Sequence, residues 1–219
     1  MKSDRPIQYQ KGWVEFYKLN FALTPDVLIP RPETELLVDE VLKFIKDNPG
    51  SEYKVLELGT GSGNIAISLA KNNPDIKIIA TDVSKDALKI ALKNAKFHKV
   101  ENRIKFIQSN LLENFNQNPD ILVTNLPYIP SYRIPYLDSS VKDFEPNIAL
   151  DGGSYGFDLY KKLFEQINEK SWQLKLIVCE IDYTQAEIAL SEASKHFPNA
   201  RIDVKLDLYH KQRILIIKS

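Results

Sequence analysis

Apolar residues recur along this chain with two different spacings. Short runs rich in branched aliphatic residues occupy 54–58, 76–81, 104–109, 120–124 and 175–181. Runs of this length bounded by turn residues read as buried strands. Between them, near 64–72, 84–97, 156–171 and 183–196, apolar positions fall three to four apart and predict helices. Strands alternating with helices predict a parallel sheet with crossover connections. Two last strand-like runs, 201–207 and 212–218, are separated only by Leu208-Tyr209-His210-Lys211. That gap is too short for a parallel crossover, so these strands should pair antiparallel. The expected fold is α/β, a mostly parallel seven-stranded sheet ending in an antiparallel C-terminal hairpin.

Ahead of this block, residues 12–23 set Trp13, Val14, Phe16, Tyr17 and Phe21 around a polar Lys18-Leu19-Asn20, the pattern of a short hairpin. Pro30 and Pro32 forbid a helix interior but can lead into one. A helix is predicted over 33–46, with Leu37, Val41 and Phe44/Ile45 on one side. Residues 130–153 carry prolines at 130, 135 and 146 and read as a long irregular stretch, which in a compact domain is usually functional. The expected division is an N-terminal hairpin segment over 1–24 and one α/β domain over 25–219.

Composition narrows the classes. A chain of 219 residues with 43% hydrophobic and 26% charged residues can bury a real core. Lys+Arg 29 balances Asp+Glu 29, which argues against long nucleic acid as the main partner, because phosphate binding leaves a basic footprint. The single cysteine, Cys179, lies in an apolar strand-like run and reads as core; it rules out an internal disulfide framework. No apolar stretch approaches a membrane span, the first residues lack a signal peptide's apolar region, and a reducing cytoplasm is expected. A monomer is expected. His98, His196 and His210 are scattered without metal-ligand spacing, so no metal is expected.

The first candidate chemistry lies where the strand Val55-Leu56-Glu57-Leu58 runs into Gly59-Thr60-Gly61-Ser62-Gly63 and a helix. Glycines at alternate positions leave no Cβ between main chain and ligand, and the helix start offers free N–H groups. Asp82 ends the next strand about 20 residues on, the usual place for an acid that takes ribose hydroxyls. A tight turn with Asp82 as a helix cap is the plain alternative. A dinucleotide fingerprint has Gly or Ala three residues after its second glycine. Here that residue is Asn64, with an extra glycine at 63, which suits S-adenosylmethionine better than NAD. Glu57 is expected to engage the cofactor's amino-acid end directly or through water, Asn110 the adenine edge, and Leu111 the adenine face.

The second lies in Asn125-Leu126-Pro127-Tyr128, directly after the strand at 120–124. An amide or exocyclic amine is a poor nucleophile because its lone pair is delocalised. The Asn125 side-chain oxygen and the Leu126 carbonyl can each accept one N–H, fixing the nitrogen and drawing it toward a pyramidal shape. Pro127 would stiffen the loop and Tyr128 would pack on the flat substrate. Asn and Pro are also ordinary turn residues.

Taken together, these blocks resemble the release-factor glutamine methyltransferases. The resemblance runs from Gln8-Tyr9 through Phe16-Tyr17, then Val27-Leu28-Ile29-Pro30-Arg31-Pro32-Glu33-Thr34-Glu35, the glycine loop, the Asn125 motif, Phe144-Glu145-Pro146, Ala149-Leu150, Gly152-Gly153 and Gly156. It implies a Rossmann-like class I fold, S-adenosyl-L-methionine as cofactor, and methylation of the glutamine amide in the Gly-Gly-Gln motif of class I peptide chain release factors. Leu126 stands where the family has a proline, Asn110-Leu111 where it has Asp-Trp, and Asp182 where a glycine is common. The family's N-terminal helical domain is not expected in this chain. Arg31, Glu33 and Glu35 read equally as a helix start or as lining for the substrate pocket. Two alternatives stay open: methylation of an adenine or cytosine amine in RNA or DNA, and a non-catalytic module that only binds the cofactor.

Overall fold

The computed structural model describes residues 5–50 and 52–219. In chain order it forms α1 (Ile7–Lys11), the hairpin β1 (Trp13–Phe16) and β2 (Leu19–Ala22), α2 (Glu35–Asp47), β3 (Lys54–Leu58) and α3 (Asn64–Asn72). Then follow β4 (Lys77–Asp82), α4 (Lys85–Phe97), β5 (Ile104–Gln108), β6 (Ile121–Thr124), α5 (Ser139–Lys142) and α6 (Asp158–Glu169). The chain continues through β7 (Leu176–Glu180), α7 (Ala186–His196), β8 (Arg201–Leu206) and β9 (Gln212–Lys218).

The large sheet has the order β5-β4-β3-β6-β7-β9-β8. Its first five strands are parallel, and β9 runs antiparallel to both neighbours. The expected seven-stranded layout is therefore present. Side chains alternate across it: Val55 joins the core beneath α2 and α3, while Leu56 and Leu58 join the one beneath α6 and α7. Glu57, two residues from Val55, shares the α3 side. Cys179 lies fully buried in β7. Phe16 and Phe21 of the hairpin belong to the same core as Leu37 and Val178.

Several boundaries differ for local reasons. The helix expected from 33 starts at Glu35, because Pro32–Thr34 forms a 3-10 turn and Thr34 makes no cap hydrogen bond. The helix expected from 156 starts at Asp158, since Gly156 has φ +76°. The one expected from 183 starts at Ala186, because the Asp182 carboxylate folds Thr184 back into a turn. Residues 130–153 are less irregular than expected: they contain 3-10 turns at Ser131–Tyr136 and Asn147–Ala149 besides α5. Helix α1 is too short to show a period; Tyr9 pins it by donating to the Val27 carbonyl at 2.6 Å.

One buried side chain ties distant parts together. Asn94 of α4 accepts from Ala22 N at 2.8 Å and donates to Ala22 O at 3.1 Å and to Ser62 O at 2.8 Å.

Candidate active site

Parallel sheets bind ligands beyond the carboxyl ends of their strands. A cavity of about 650 Å³ lies there, bordered by the ends of β3, β4 and β6. A larger one of about 1090 Å³ sits at the opposite strand ends, by Lys54, Lys77 and Ile104, away from both candidate motifs.

One wall is the glycine loop. Thr60 N donates to Thr81 O at 2.9 Å, and Gly61 N donates to Asp82 Oδ2 at 2.9 Å. Gly61 has φ +53°, and no atom stands within 4 Å of where a Cβ would be, so the loop offers bare main chain to the cavity. Asp82 Oδ1 accepts from Ser84 N at 2.8 Å. Burial raises the Asp82 carboxyl above its ordinary value, and these N–H groups pull it back. A carboxylate accepts about four hydrogen bonds, so Asp82 keeps capacity for hydroxyls in the cavity. Leu111 presents an apolar side chain from a left-handed residue at φ +49°. Ser109 fixes that bend by donating to Leu111 O at 2.9 Å. Asn110 also borders the cavity, with its Nδ2 donating to Glu113 at 2.8 Å.

The expected cofactor residues thus fall into two groups. Gly59, Gly61, Asp82, Asn110 and Leu111 border the cavity. Glu57, Thr60, Ser62 and Gly63 sit behind them. Glu57 is fully buried; its Oε2 accepts from Thr60 Oγ1 at 2.7 Å and from Ala66 N at 3.2 Å, bracing the loop against α3. Its Oε1 has no hydrogen-bond partner among the described residues. Burial lifts the Glu57 carboxyl to about 8. Ser62 donates to Asn64 at 3.2 Å, and Gly63 closes against Ile67 and Ala91.

The other wall is the loop after β6, where Asn125, Leu126 and Pro127 border the same cavity. Its supports come from far along the chain. Leu126 N donates to Tyr160 Oη at 3.1 Å, and Tyr160 in turn donates to the Glu180 carbonyl. Tyr128 Oη donates to Glu180 Oε1 at 3.2 Å, so this ring, expected on the substrate, is tied inward by its hydroxyl. Thr34 Oγ1 donates to Glu180 Oε2 at 2.6 Å, and Asn125 Nδ2 donates to Thr34 Oγ1 at 3.3 Å. Burial raises the Glu180 carboxyl; the Thr34 hydroxyl, the Arg213 charge and the Tyr128 hydroxyl oppose that. Gly152 presses on the loop from outside: a Cβ there would stand 2.7 Å from Pro127 O and from Tyr128 Cα.

Arg31 and Glu35 of the Arg31-to-Glu35 run act as braces. Arg31 pairs with the buried Glu145, which also accepts from Ile29 N at 3.2 Å. Glu35 accepts from Tyr17 N at 2.7 Å. The sequence alone assigns no role to Thr34, Glu180 or Tyr160. An acid closing the apolar run Leu176-Ile177-Val178-Cys179-Glu180 is the one signal that marked Glu180, because a charge in a buried strand needs partners.

A family model, methyltransferase small domain, matches residues 33–133. A release factor glutamine methyltransferase of Lactococcus lactis is 35% identical over 218 residues, covering 100% of this chain and 79% of that protein. The chain belongs to the release factor glutamine methyltransferase family. Another member, from Bacillus cereus, is 36% identical over 214 residues, 96% of this chain and 75% of its own. Among solved structures, the N-terminal domain of human METTL16 in complex with SAH matches with a TM-score of 0.65 at 15% identity, covering 92% of this chain and 76% of that one. That likeness shows the methyltransferase fold. Family membership gives S-adenosylmethionine as the cofactor, and the residues around the glycine-loop cavity fit it. Bare main chain at Gly61, an acid at Asp82 and an apolar contact at Leu111 suit a charged amino-acid tail, a ribose and an adenine respectively. No helix among the described residues is long and apolar enough to cross a membrane.

Proposed function

We propose that this chain methylates the side-chain amide of the glutamine in the Gly-Gly-Gln motif of a class I peptide chain release factor. The observation that carries this is one cavity with two unlike walls: a glycine loop with Asp82, and an asparagine held by its NH2 end at Thr34. The names of the relatives support the substrate.

Bound in the cavity, S-adenosylmethionine supplies a methyl group already activated on a positive sulfur. Gly59 and Gly61 admit it to main-chain contact, Asp82 takes the ribose hydroxyls, and Asn110 and Leu111 border the adenine. Glu57, Thr60, Ser62 and Gly63 hold that loop from behind. On the facing wall, Asn125 Oδ1 and the Leu126 carbonyl each accept one N–H of the substrate amide. They fix the nitrogen in line with the methyl group and stabilise the positive charge that develops on it. The nitrogen gains a carbon as the carbon–sulfur bond breaks, and it gives up one proton. Pro127 limits the loop's freedom, and Tyr128 anchors it through Glu180. In this reading residues 25–219 are the methyltransferase domain and 1–24 an N-terminal hairpin segment, of which residues 1–4 lie outside the described residues.

The test is incubation with methyl-labelled S-adenosylmethionine and, separately, a release factor, ribosomal RNA and DNA. Label should enter only the release factor and disappear when its Gly-Gly-Gln glutamine is replaced. Label in RNA or DNA would favour the base-amine reading. Cofactor binding without transfer to any of them would leave only a binding module.

A further inference from the structure

We infer that Thr34 is a positioning residue that sets which way round the Asn125 amide faces the cavity. The inference deepens the proposed methyl transfer to an amide and rests on it. An asparagine side chain has two nearly isosteric ends, one accepting and one donating. Only the accepting end can take an N–H from a substrate amide. If the amide were turned over, its NH2 would face the substrate NH2, donor against donor.

What breaks this symmetry is a chain of hydrogen bonds with a single direction. Glu180 is fully buried at the end of β7 and acts as the sink. Its Oε1 is taken by the Tyr128 hydroxyl and its Oε2 by the Thr34 hydroxyl, at 2.6 Å. A threonine hydroxyl has one proton. With that proton directed to Glu180, Thr34 Oγ1 can only accept from Asn125, and the atom beside it at 3.3 Å is Nδ2. Asn125 Oδ1 is thereby left for the cavity that Asn125 borders. Thr34 is itself buried in the 3-10 turn ahead of α2 and makes no cap bond to its helix. Its hydroxyl is therefore committed to this chain of bonds rather than to local structure.

The experiment compares Thr34→Val, which keeps the shape and loses the hydroxyl, with Thr34→Ser, which keeps the hydroxyl. For methylation of a release factor at saturating cofactor, Thr34→Val should lower kcat about 10- to 100-fold. KM for the release factor and Kd for S-adenosylmethionine should stay within about twofold, and Thr34→Ser should recover most of the rate. In parallel, the side-chain NH2 signals of Asn125 in 15N-labelled protein should shift, and exchange faster with solvent, in Thr34→Val but not in Thr34→Ser. Wild-type kcat in Thr34→Val, equal losses in both variants, or an unmoved Asn125 NH2 signal would overturn the inference. If the wild-type protein does not methylate the release factor, the substrate reading fails instead. The Asn125 signals then still decide whether Thr34 orients the amide.

Discussion

Asp82 joins two backbone segments and also faces the cavity, so its removal has two consequences. Asp82→Ala should weaken S-adenosylmethionine binding by about one to two decades in calorimetry while the domain stays folded, since charge-assisted bonds are worth about 1.5–3 kcal/mol. Unchanged affinity would reassign the acid to loop structure alone. At Asn125 the two properties separate: Asn125→Ala should lose about 10²–10³ in single-turnover rate with cofactor affinity nearly intact. Asn125→Asp keeps an acceptor but sets a negative charge near a sulfonium that loses its charge during transfer, so it should be slow yet detectable. Near-normal turnover by Asn125→Ala would reduce the motif to a turn. Glu57 makes a different prediction, in stability rather than rate. Burial holds its folded-state value near 8, above the ordinary 4.5. The folded state therefore binds the proton more tightly, and the resulting stabilisation is complete below pH 4.5 and is lost as pH rises toward 8. Glu57→Gln has no proton to lose, and its amide can accept from Thr60 and Ala66 as Oε2 does. Its stability relative to wild type should climb across that window by up to about 1.4 kcal/mol per pH unit. Urea melts across the window giving a constant difference would contradict this. The sequence marked Glu57 as a residue of the site, but its place behind the loop follows from sharing Val55's face of β3, which only the pleat decides.

Between elements, the close fit is where 150–153 lies along 129–131. Ile129 N donates to Leu150 O at 3.1 Å, Gly152 N to Ile129 O at 2.9 Å, and Ser131 N to Gly153 O at 2.9 Å. Gly152 has backbone, not flexible side chains, around its missing Cβ. Gly152→Ala must therefore displace Pro127 and Tyr128, and displacements of this size near a reacting centre cost up to about 10² in rate. The expected outcome is at least about a tenfold loss of kcat with cofactor affinity within about twofold; an unchanged rate would show that the loop tolerates the shift. The strands and the helices α3 and α4 were legible because burial imposes a strong period, and Ser84 marks the start of α4 by accepting from Ala87 N at 3.2 Å. The starts of α6 and α7 were not, because local geometry at Gly156 and Asp182 sets them; α1 and the Pro32–Thr34 turn were not, because hydrogen bonds to remote residues hold them. Tyr9 with Val27 and Thr34 with Glu180 are such bonds. Periodicity carries no record of a partner so far along the chain.

Across the whole molecule, the strand order places β3, β4 and β6 side by side, bringing Gly61, Asp82 and Asn125 to one sheet edge from segments far apart in sequence. That convergence was legible, because an alternating pattern leaves few topologies and all of them gather the carboxyl ends. The ties that hold the second wall, from Thr34 to Glu180 and from Arg31 to Glu145, were visible only as separate blocks without a reason to meet. The Asn94 side chain has a consequence for the N-terminal hairpin. It holds both backbone groups of Ala22 while its NH2 also reaches Ser62 of the glycine loop, so β2 and the cofactor loop share one buried amide. Where a shared support couples two sites, the coupling is the same in both directions. Cofactor binding should therefore slow hydrogen exchange at the Ala22 amide, and Asn94→Ala should remove that protection while costing about 1–3 kcal/mol of stability. Given that protection, reciprocity requires that a contact gripping the hairpin retune the affinity for S-adenosylmethionine, and the small ribbon is then a lever on the cofactor rather than an ornament at the end of the fold.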